Sequence, residues 1–142
     1  MEAMIKVLSD LGVDLQAKEH TGYKFKAGSM MDLNVDVWQA GKRQFIAISH
    51  YGEQNGDAMA DPDIECEISE KLNLRTGQIE KTLYPVHYQN DYLGIFQKIR
   101  EYNGAQIKYS PSRTKDVRVF LTQWAKNIKA QGYKKEVLAV KA

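Results

Sequence analysis

Hydrophobic and polar residues alternate over much of the middle of the chain. From Met31 to Val37 every second residue is apolar and the residues between are Asp or Asn, and from Ile64 to Leu74 the alternation is nearly complete. This period is that of a strand with one buried face. Arg43 to Tyr51 is apolar on both parities, which predicts a more central strand. With shorter strands over residues 23–27 and 78–86, the pattern predicts an antiparallel sheet of about five strands.

Two other segments have the spacing of amphipathic helices. Apolar residues between Met1 and Leu11 fall at helical intervals, and Gly12 follows as a helix stop. A second helix is predicted from about Ser112 to Gln131. Its apolar stripe consists of Val117, Phe120, Leu121, Trp124 and Ile128. We therefore predict an α+β fold in which an N-terminal and a C-terminal helix flank the sheet, with residues 92–109 left open between strands and a short helix.

The length of the chain suits a single domain over residues 1–142, with residues 133–142 as a frayed basic tail. The longest apolar runs have four residues, whereas a transmembrane helix needs about 20. The N-terminus lacks the apolar core of a signal peptide, so we expect a cytoplasmic protein that makes no contact with membranes. Cys66 is the one cysteine and lies on the apolar parity of its strand, which favours a buried, inert thiol.

Charge is distributed unevenly along the chain. The formal net charge is +2, but residues 1–97 carry 9 Lys and Arg against 15 Asp and Glu, whereas residues 98–142 carry 11 against 3. The segment from Glu53 to Glu70 contains seven carboxylates and no Lys or Arg. We expect the segment from His50 to Glu67 to form the functional surface. Its Asn55-Gly56 dipeptide marks a tight turn or a long polar loop between regular strands, where binding residues are often found. The positive total argues against a DNA mimic that uses the whole protein.

The acidic segment also raises the question of a metal site. Carboxylates suited to Mg²⁺ or Ca²⁺ are Asp57, Asp61, Asp63, Glu65 and Glu67. Their spacing is not that of an EF-hand, and Pro62-Asp63 is not followed by the Glu-x-Lys of a restriction-type nuclease core. His50 and His87 have no metal-ligand spacing, and a single strand histidine is usually structural. We therefore expect neither metal nor cofactor, and a metal-dependent enzyme is the lesser alternative.

Aromatic residues are concentrated just before the second helix. Seven rings fall within 26 residues, namely Tyr84, His87, Tyr88, Tyr92, Phe96, Tyr102 and Tyr109. Three uses of these rings remain open. They would fill the core between sheet and helix, anchor a protein partner, or stack on single-stranded nucleic acid beside the basic helix.

Three stretches of the sequence resemble a known family. They run from Ile48 to Glu65, from Tyr88 to Ile95 and from Trp124 to Tyr133, and the similarity extends over about residues 31–133. The sequence resembles small proteins without established activity that are encoded on bacterial plasmids, phages and integrative conjugative elements. Such proteins often lie near antirestriction genes, so the resemblance implies an anti-defence role and supplies no catalytic residues. Members often have an aromatic residue at the position of Gly52.

These observations predict a non-enzymatic binding protein of a bacterial mobile element, an anti-CRISPR or antirestriction inhibitor whose protein partner is a host defence nuclease. The predicted partner-binding residues are His50, Tyr51, Glu53, Asn55, Asp57, Asp61, Asp63, Glu65, Glu67, Tyr88, Asn90, Asp91 and Tyr92. The alternative is a nucleic-acid-binding accessory protein that uses the basic second helix. Its predicted contacts are Arg113, Lys115, Arg118, Lys126 and Lys129.

Overall fold

The computed structural model describes residues 2–135 of the chain, which form two helices and nine strands. In chain order the elements are α1 (Ala3–Asp10), β1 (Thr21–Lys26), β2 (Leu33–Ala40), β3 (Arg43–Gln54), β4 (Asp57–Leu72), β5 (Ile79–Asn90), β6 (Ile95–Lys98), β7 (Arg100–Asn103), β8 (Gln106–Tyr109), α2 (Pro111–Gln131) and β9 (Lys134–Lys135). The α+β class and the two flanking helices are confirmed.

The main sheet is antiparallel and has the strand order β6-β5-β4-β3-β2-β1-β9, while β7 and β8 form a separate hairpin. Within residues 2–135 it has seven strands rather than about five. The stretch left open at 92–109 forms β6, β7 and β8. The C-terminal end adds a further strand, because Lys134 and Lys135 pair with β1. The predicted frayed tail is therefore wrong for residues 133–135, where Tyr133 is also buried, and residues 136–142 lie outside the described residues.

One face of the sheet forms the hydrophobic core with both helices. The register aligns Val35 of β2, Ile48 of β3 and Ile64 of β4 across this face, and all three are fully buried. Leu8 of α1 and Leu121 of α2 belong to the same buried cluster. Each such side chain contributes about 1.5–3 kcal/mol on burial, so this face provides most of the stability. We call the opposite side the open face.

The β3–β4 hairpin replaces the long polar loop that the sequence suggested. Asn55 and Gly56 both have positive φ, 53° and 84°, as a two-residue turn between paired strands requires. Pairing continues on both sides of this turn, with Gln54 opposite Asp57. The tight turn predicted at Asn55-Gly56 is therefore confirmed, and the alternative of a long loop is wrong, because the polar residues on both sides of the turn remain in the ladder.

A bulge in β4 lies at the base of this hairpin. Ser49 pairs with Asp63 but Tyr51 pairs with Ala60, so β4 has one more residue than β3 between these pairs. Strand pairing therefore continues past Pro62 with a bulge, and the Asp61–Pro62 peptide bond is cis. The extra residue changes which side chains of β4 face the helices.

The second helix begins and ends close to the predicted positions. The Ser110 side chain accepts a hydrogen bond from the Arg113 N–H at 3.3 Å, and Pro111 occupies the first turn. Gly132 ends the helix with φ 69°, a left-handed conformation that favours glycine. No helix among residues 2–135 is long and apolar enough to cross a membrane.

Candidate functional site

The predicted partner-binding residues do not form one surface. By strand alternation and the register, the open face carries Tyr51, Asp63 and Glu65, with Asp91 beside them. On the side of the helices, the residues that border a pocket against α2 are His50, Asp61, Tyr88 and Asn90. The exposed end of the hairpin carries Glu53, Asn55 and Asp57. The sequence therefore identified a region of the fold but not its division into two faces.

Tyr51 and Asp63 form the centre of the open face at this end of the sheet. The Tyr51 hydroxyl donates to Oδ2 of Asp63 at 2.5 Å. Partial burial raises the pKa of Tyr51, and the hydrogen bond to Asp63 and the charges of Asp63, Asp91 and Asp36 raise it further. The phenol therefore stays protonated and acts as a donor, and negative potential dominates its surroundings.

Glu65 extends the acidic surface along β4. Burial raises the pKa of its carboxyl group, the charge of His87 opposes this shift, and Asp63 adds to it. The closest approach between His87 Nδ1 and Oε2 of Glu65 is 3.9 Å, too long for a hydrogen bond. The imidazole of His87 stacks on Phe96 of β6, with ring centroids 5.6 Å apart.

Asp91 attaches the turn after β5 to the hairpin. Its carboxylate accepts hydrogen bonds from the side chain of Gln89 and from the N–H of Ala60, each at 2.8 Å. These bonds, the one from Gln89 above all, lower the pKa of Asp91. The Asp91 N–H in turn donates to the Ala60 carbonyl at 2.9 Å. The neighbouring Tyr92 is about half exposed at this turn.

We define the acidic face by its carboxylates and its two large aromatic side chains. Its members are Asp36, Tyr51, Asp63, Glu65, Asp91 and Phe96. Asp36 Oδ1 lies 2.9 Å from Nε2 of His20, but none of the four carboxylates forms an ion pair with Lys or Arg in the described part of the chain. The sequence from Ser49 to Glu65 also contains neither residue, so this part of β3 and β4 supplies no positive charge of its own.

Glu67 does not belong to a binding surface. It lies on the same side of β4 but is buried, and Arg43 and Arg100 approach its carboxylate to 2.9 and 3.3 Å. The Tyr102 hydroxyl donates to it at 2.7 Å. Its predicted role in partner binding is corrected accordingly, because the β7–β8 hairpin covers this part of the open face and satisfies the charge.

His50 does not belong to an exposed surface either. It is buried, its Nδ1 lies 2.9 Å from the Asp32 carbonyl, and its Nε2 lies 3.0 Å from Nε1 of Trp124. A carbonyl only accepts and an indole N–H only donates, so Nδ1 carries the proton and Nε2 is the acceptor. The imidazole connects β3 to α2, so the structure places this predicted partner-binding residue in the wall of a pocket rather than on an exposed surface.

A pocket of about 360 Å³ lies between the base of the hairpin and the C-terminal half of α2. We call it the helix-side pocket. Among its lining residues, the sequence places Phe120 and Trp124 in the apolar stripe of the second helix and Met31 on the apolar side of a strand, and it predicts no role for Met30 and Leu93. Phe120 is 38% exposed. No sequence signal separated it from the core, because its spacing along the helix is the same.

Residues 4–134 match the model of a family described as a domain of unknown function (DUF6908). The chain belongs to this family. No curated protein and no solved structure matches it. The DUF6908 match runs from α1 to the first residue of β9, so it includes both the acidic face and the helix-side pocket.

The five basic residues predicted to contact nucleic acid do not form one surface of this DUF6908 domain. Lys115, Lys126 and Lys129 are exposed and, at 100° per residue, lie on one side of α2. Arg113 is on the opposite side by the same count. Arg118 contacts the carboxylate of Glu2, so it joins α2 to the N-terminus. Its predicted availability to nucleic acid is corrected.

The carboxylates of the DUF6908 domain do not converge on a common point. Within residues 2–135, no three side chains of His, Cys, Asp or Glu are arranged to hold a metal ion. Cys66 is fully buried, and that burial raises the pKa of its thiol, with the charges of Glu2 and Glu65 adding to the shift. The rings of the aromatic segment have several roles, since Tyr102 binds Glu67, Tyr88 packs against Phe120 at 6.0 Å, and others are exposed.

Proposed function

We propose that this protein is a non-enzymatic binding protein that holds a basic surface of a protein partner on its acidic face. The observation that carries the proposal is a contrast within β4. Glu67 is neutralised by two arginines and a tyrosine, whereas Asp63 and Glu65 have no Lys or Arg partner among the described residues. Charges left unneutralised on a solvent-facing sheet are typical of recognition sites that steer an oppositely charged partner.

The composition of the acidic face supports this proposal. Tyr51 and Phe96 are 39% and 59% exposed, and tyrosine and phenylalanine are enriched in protein interfaces. Aromatic side chains supply apolar area at the centre of an interface, while the surrounding carboxylates select a basic partner. The raised pKa of Glu65 indicates that this arrangement does not favour the folded state, which is expected where binding rather than stability selects the residues.

The resemblance to proteins of mobile elements supports a more specific form of the proposal. A host defence nuclease has a basic channel for its nucleic acid, and an acidic surface of this kind would occupy that channel. Under this proposal the protein is an anti-CRISPR or antirestriction inhibitor that acts by binding alone. None of its residues then needs to perform chemistry.

The test compares two variants that lose the same charge. The face variant combines Asp36→Asn, Asp63→Asn and Glu65→Gln, and the control combines Asp10→Asn, Glu19→Gln and Glu101→Gln at exposed positions elsewhere. The wild-type protein is used to capture a partner from host cells, and affinity is then measured by calorimetry with the purified partner. We expect the face variant to bind at least about tenfold more weakly and the control to bind like wild type. Equal affinity of the face variant and wild type would refute the proposal.

A second candidate function rests on Lys115, Lys126 and Lys129. They share one side of α2 and form no ion pair with any described residue, which suits contact with phosphates. Replacement of all three by Gln should abolish binding to DNA or RNA at low salt, whereas replacement of Lys18, Lys42 and Lys71 should not. Absence of binding by the wild type at low salt would exclude this candidate.

A further inference from the structure

The helix-side pocket has the size of a small binding site. Its volume of about 360 Å³ lies within the range of ligand pockets, roughly 300–1,000 Å³. It opens on the side of the β3–β4 hairpin opposite the acidic face, with α2 as its second wall. A side chain from a partner that grips this hairpin would therefore reach it. The inference below rests on the proposed binding function and adds a specific contact to it.

The inner wall of the pocket is aromatic. Tyr88, Phe120 and Trp124 line it, with ring centroids 6.0 Å apart for Tyr88 and Phe120 and 5.7 Å apart for Phe120 and Trp124. Phe120 is partly exposed, as are the apolar side chains of Met30 and Leu93 at the rim. Aromatic faces carry partial negative charge and attract cations, most of all the planar guanidinium of arginine.

Asp61 gives the pocket its charge. Among the described side chains that line it, Asp61 is the only Asp, Glu, Lys or Arg, and both ring nitrogens of His50 are already engaged, by the Asp32 carbonyl and the Trp124 indole N–H. The Nδ2 of Asn90 donates to Oδ1 of Asp61 at 3.3 Å, while Oδ2 accepts no hydrogen bond from the described residues. One carboxylate oxygen is thus oriented by the protein and the other is left for a donor.

We propose that the helix-side pocket receives an arginine side chain of the protein partner, with its guanidinium between the Asp61 carboxylate and the rings of Phe120 and Trp124. A single negative charge beside aromatic walls matches a cation on an apolar stem. A phosphate or carboxylate ligand is disfavoured, since none of the described residues that line the pocket is Lys or Arg and Lys126 and Lys129 lie on another side of α2 by helical spacing. Arginine fits better than lysine because it both stacks and pairs with a carboxylate.

The test uses the peptide acetyl-Gly-Arg-Gly-amide and the same peptide with citrulline, which has nearly the same shape without the charge. Binding is followed by NMR through the indole N–H signal of Trp124, assigned with the Trp38→Phe variant. We expect the arginine peptide to shift this signal at millimolar concentration and the citrulline peptide to bind about fivefold more weakly or worse. Equal binding of the two peptides, or an unmoved Trp124 signal at tens of millimolar peptide, would overturn the inference.

Two further variants locate the contact. Asp61→Asn keeps an oxygen for the Asn90 hydrogen bond and should weaken the arginine peptide about fivefold, whereas Asp57→Asn at the exposed end of the hairpin should have no effect. Phe120→Leu removes a partly exposed ring and should also weaken binding, so the inference can still be tested if Asp61→Asn folds poorly. An equal loss in Asp57→Asn, or no loss in either pocket variant, would refute the site.

Different results would refute the binding function of the acidic face and the arginine site in the pocket. The face variant defined above leaves the pocket intact and should bind the arginine peptide like wild type while it loses the partner. If the partner depends on the acidic face but not on Asp61, the arginine site is wrong and the binding function stands. If the peptide binds in the pocket but the partner does not depend on the acidic face, the proposed function is wrong and the pocket stands.

Discussion

The hydroxyl of Tyr92 occupies the space beside Gly52 that a side chain would fill. A Cβ at Gly52 would lie 2.3 Å from Oη of Tyr92, far inside van der Waals contact. Gly52 has no positive φ that would require glycine, so the close approach of Tyr92 is the structural reason for a glycine here.

This contact predicts that the effect of Gly52→Ala on stability changes sign when the Tyr92 side chain is removed. Gly52→Ala in the wild type should destabilise the fold, because the Tyr92 ring must move. In a Tyr92→Ala background the same change should stabilise it by about 0.5–1 kcal/mol, since alanine restricts the unfolded chain more than glycine does. Urea denaturation of the four proteins measures both effects. Identical effects of Gly52→Ala in the two backgrounds would contradict the contact.

The buried carboxylate of Glu67 predicts the largest loss of stability among the charged residues. Glu67→Gln leaves Arg43 and Arg100 without a negative partner in a partly buried cluster and should cost about 3 kcal/mol. Glu70→Gln is the matched control on the same strand. The Glu70 side chain is 45% exposed in its pair with Lys81, so its loss should cost at most about 1 kcal/mol. Equal losses of stability in the two variants, measured by chemical denaturation, would contradict the prediction that the ion pairs of Glu67 contribute more than that of Glu70.

The raised pKa of Glu65 predicts a stability change with pH. The ordinary pKa of a glutamate is 4.5. Above that pH the Glu65 carboxyl group has lost its proton in the unfolded chain but still holds it in the folded chain. Stability therefore falls as the pH rises from 4.5 toward the pKa of the folded state. Glu65→Gln removes this loss. The variant should therefore be more stable than wild type at pH 7 and gain nothing near pH 3, by thermal denaturation at both values. Glu53→Gln, at an exposed position, should show no such difference.

The hydrogen bond between Trp124 and His50 predicts a cost for removing the indole N–H. Trp124→Phe leaves Nε2 of the buried imidazole without a donor and should destabilise the protein by about 1–3 kcal/mol, in addition to the lost ring volume. Trp38→Phe removes an indole N–H that forms no hydrogen bond with the described residues and should cost less. A smaller loss for Trp124→Phe than for Trp38→Phe would contradict the arrangement.

The local pattern of the sequence determined the α+β class and most of the elements. Alternation identified β2 and the central part of β4, and the apolar stripe with Gly132 identified α2, because strand and helix periods follow from the backbone geometry of a single element. The same reasoning left residues 92–109 open. The short strands β6, β7 and β8 have too few residues for a period to emerge. They depend on long-range contacts, because β6 pairs with β5 and two side chains of β7 bind Glu67.

The candidate site depended on relationships that no local pattern contains. The sequence identified the carboxylates between Glu53 and Glu70 as candidates. Whether each one is available for binding or is neutralised within the fold depends on the tertiary contacts of its side chain. Arg43 and Arg100, 24 and 33 residues away from Glu67, neutralise that carboxylate, whereas no Lys or Arg among the described residues pairs with Asp63. The bulge at the base of the hairpin places Asp61 and Asp63 on opposite sides of one strand. Periodicity describes how neighbours along a chain are oriented, whereas the pairing of β4 with β3 and the cover supplied by β7 and β8 are long-range contacts that only the tertiary structure decides.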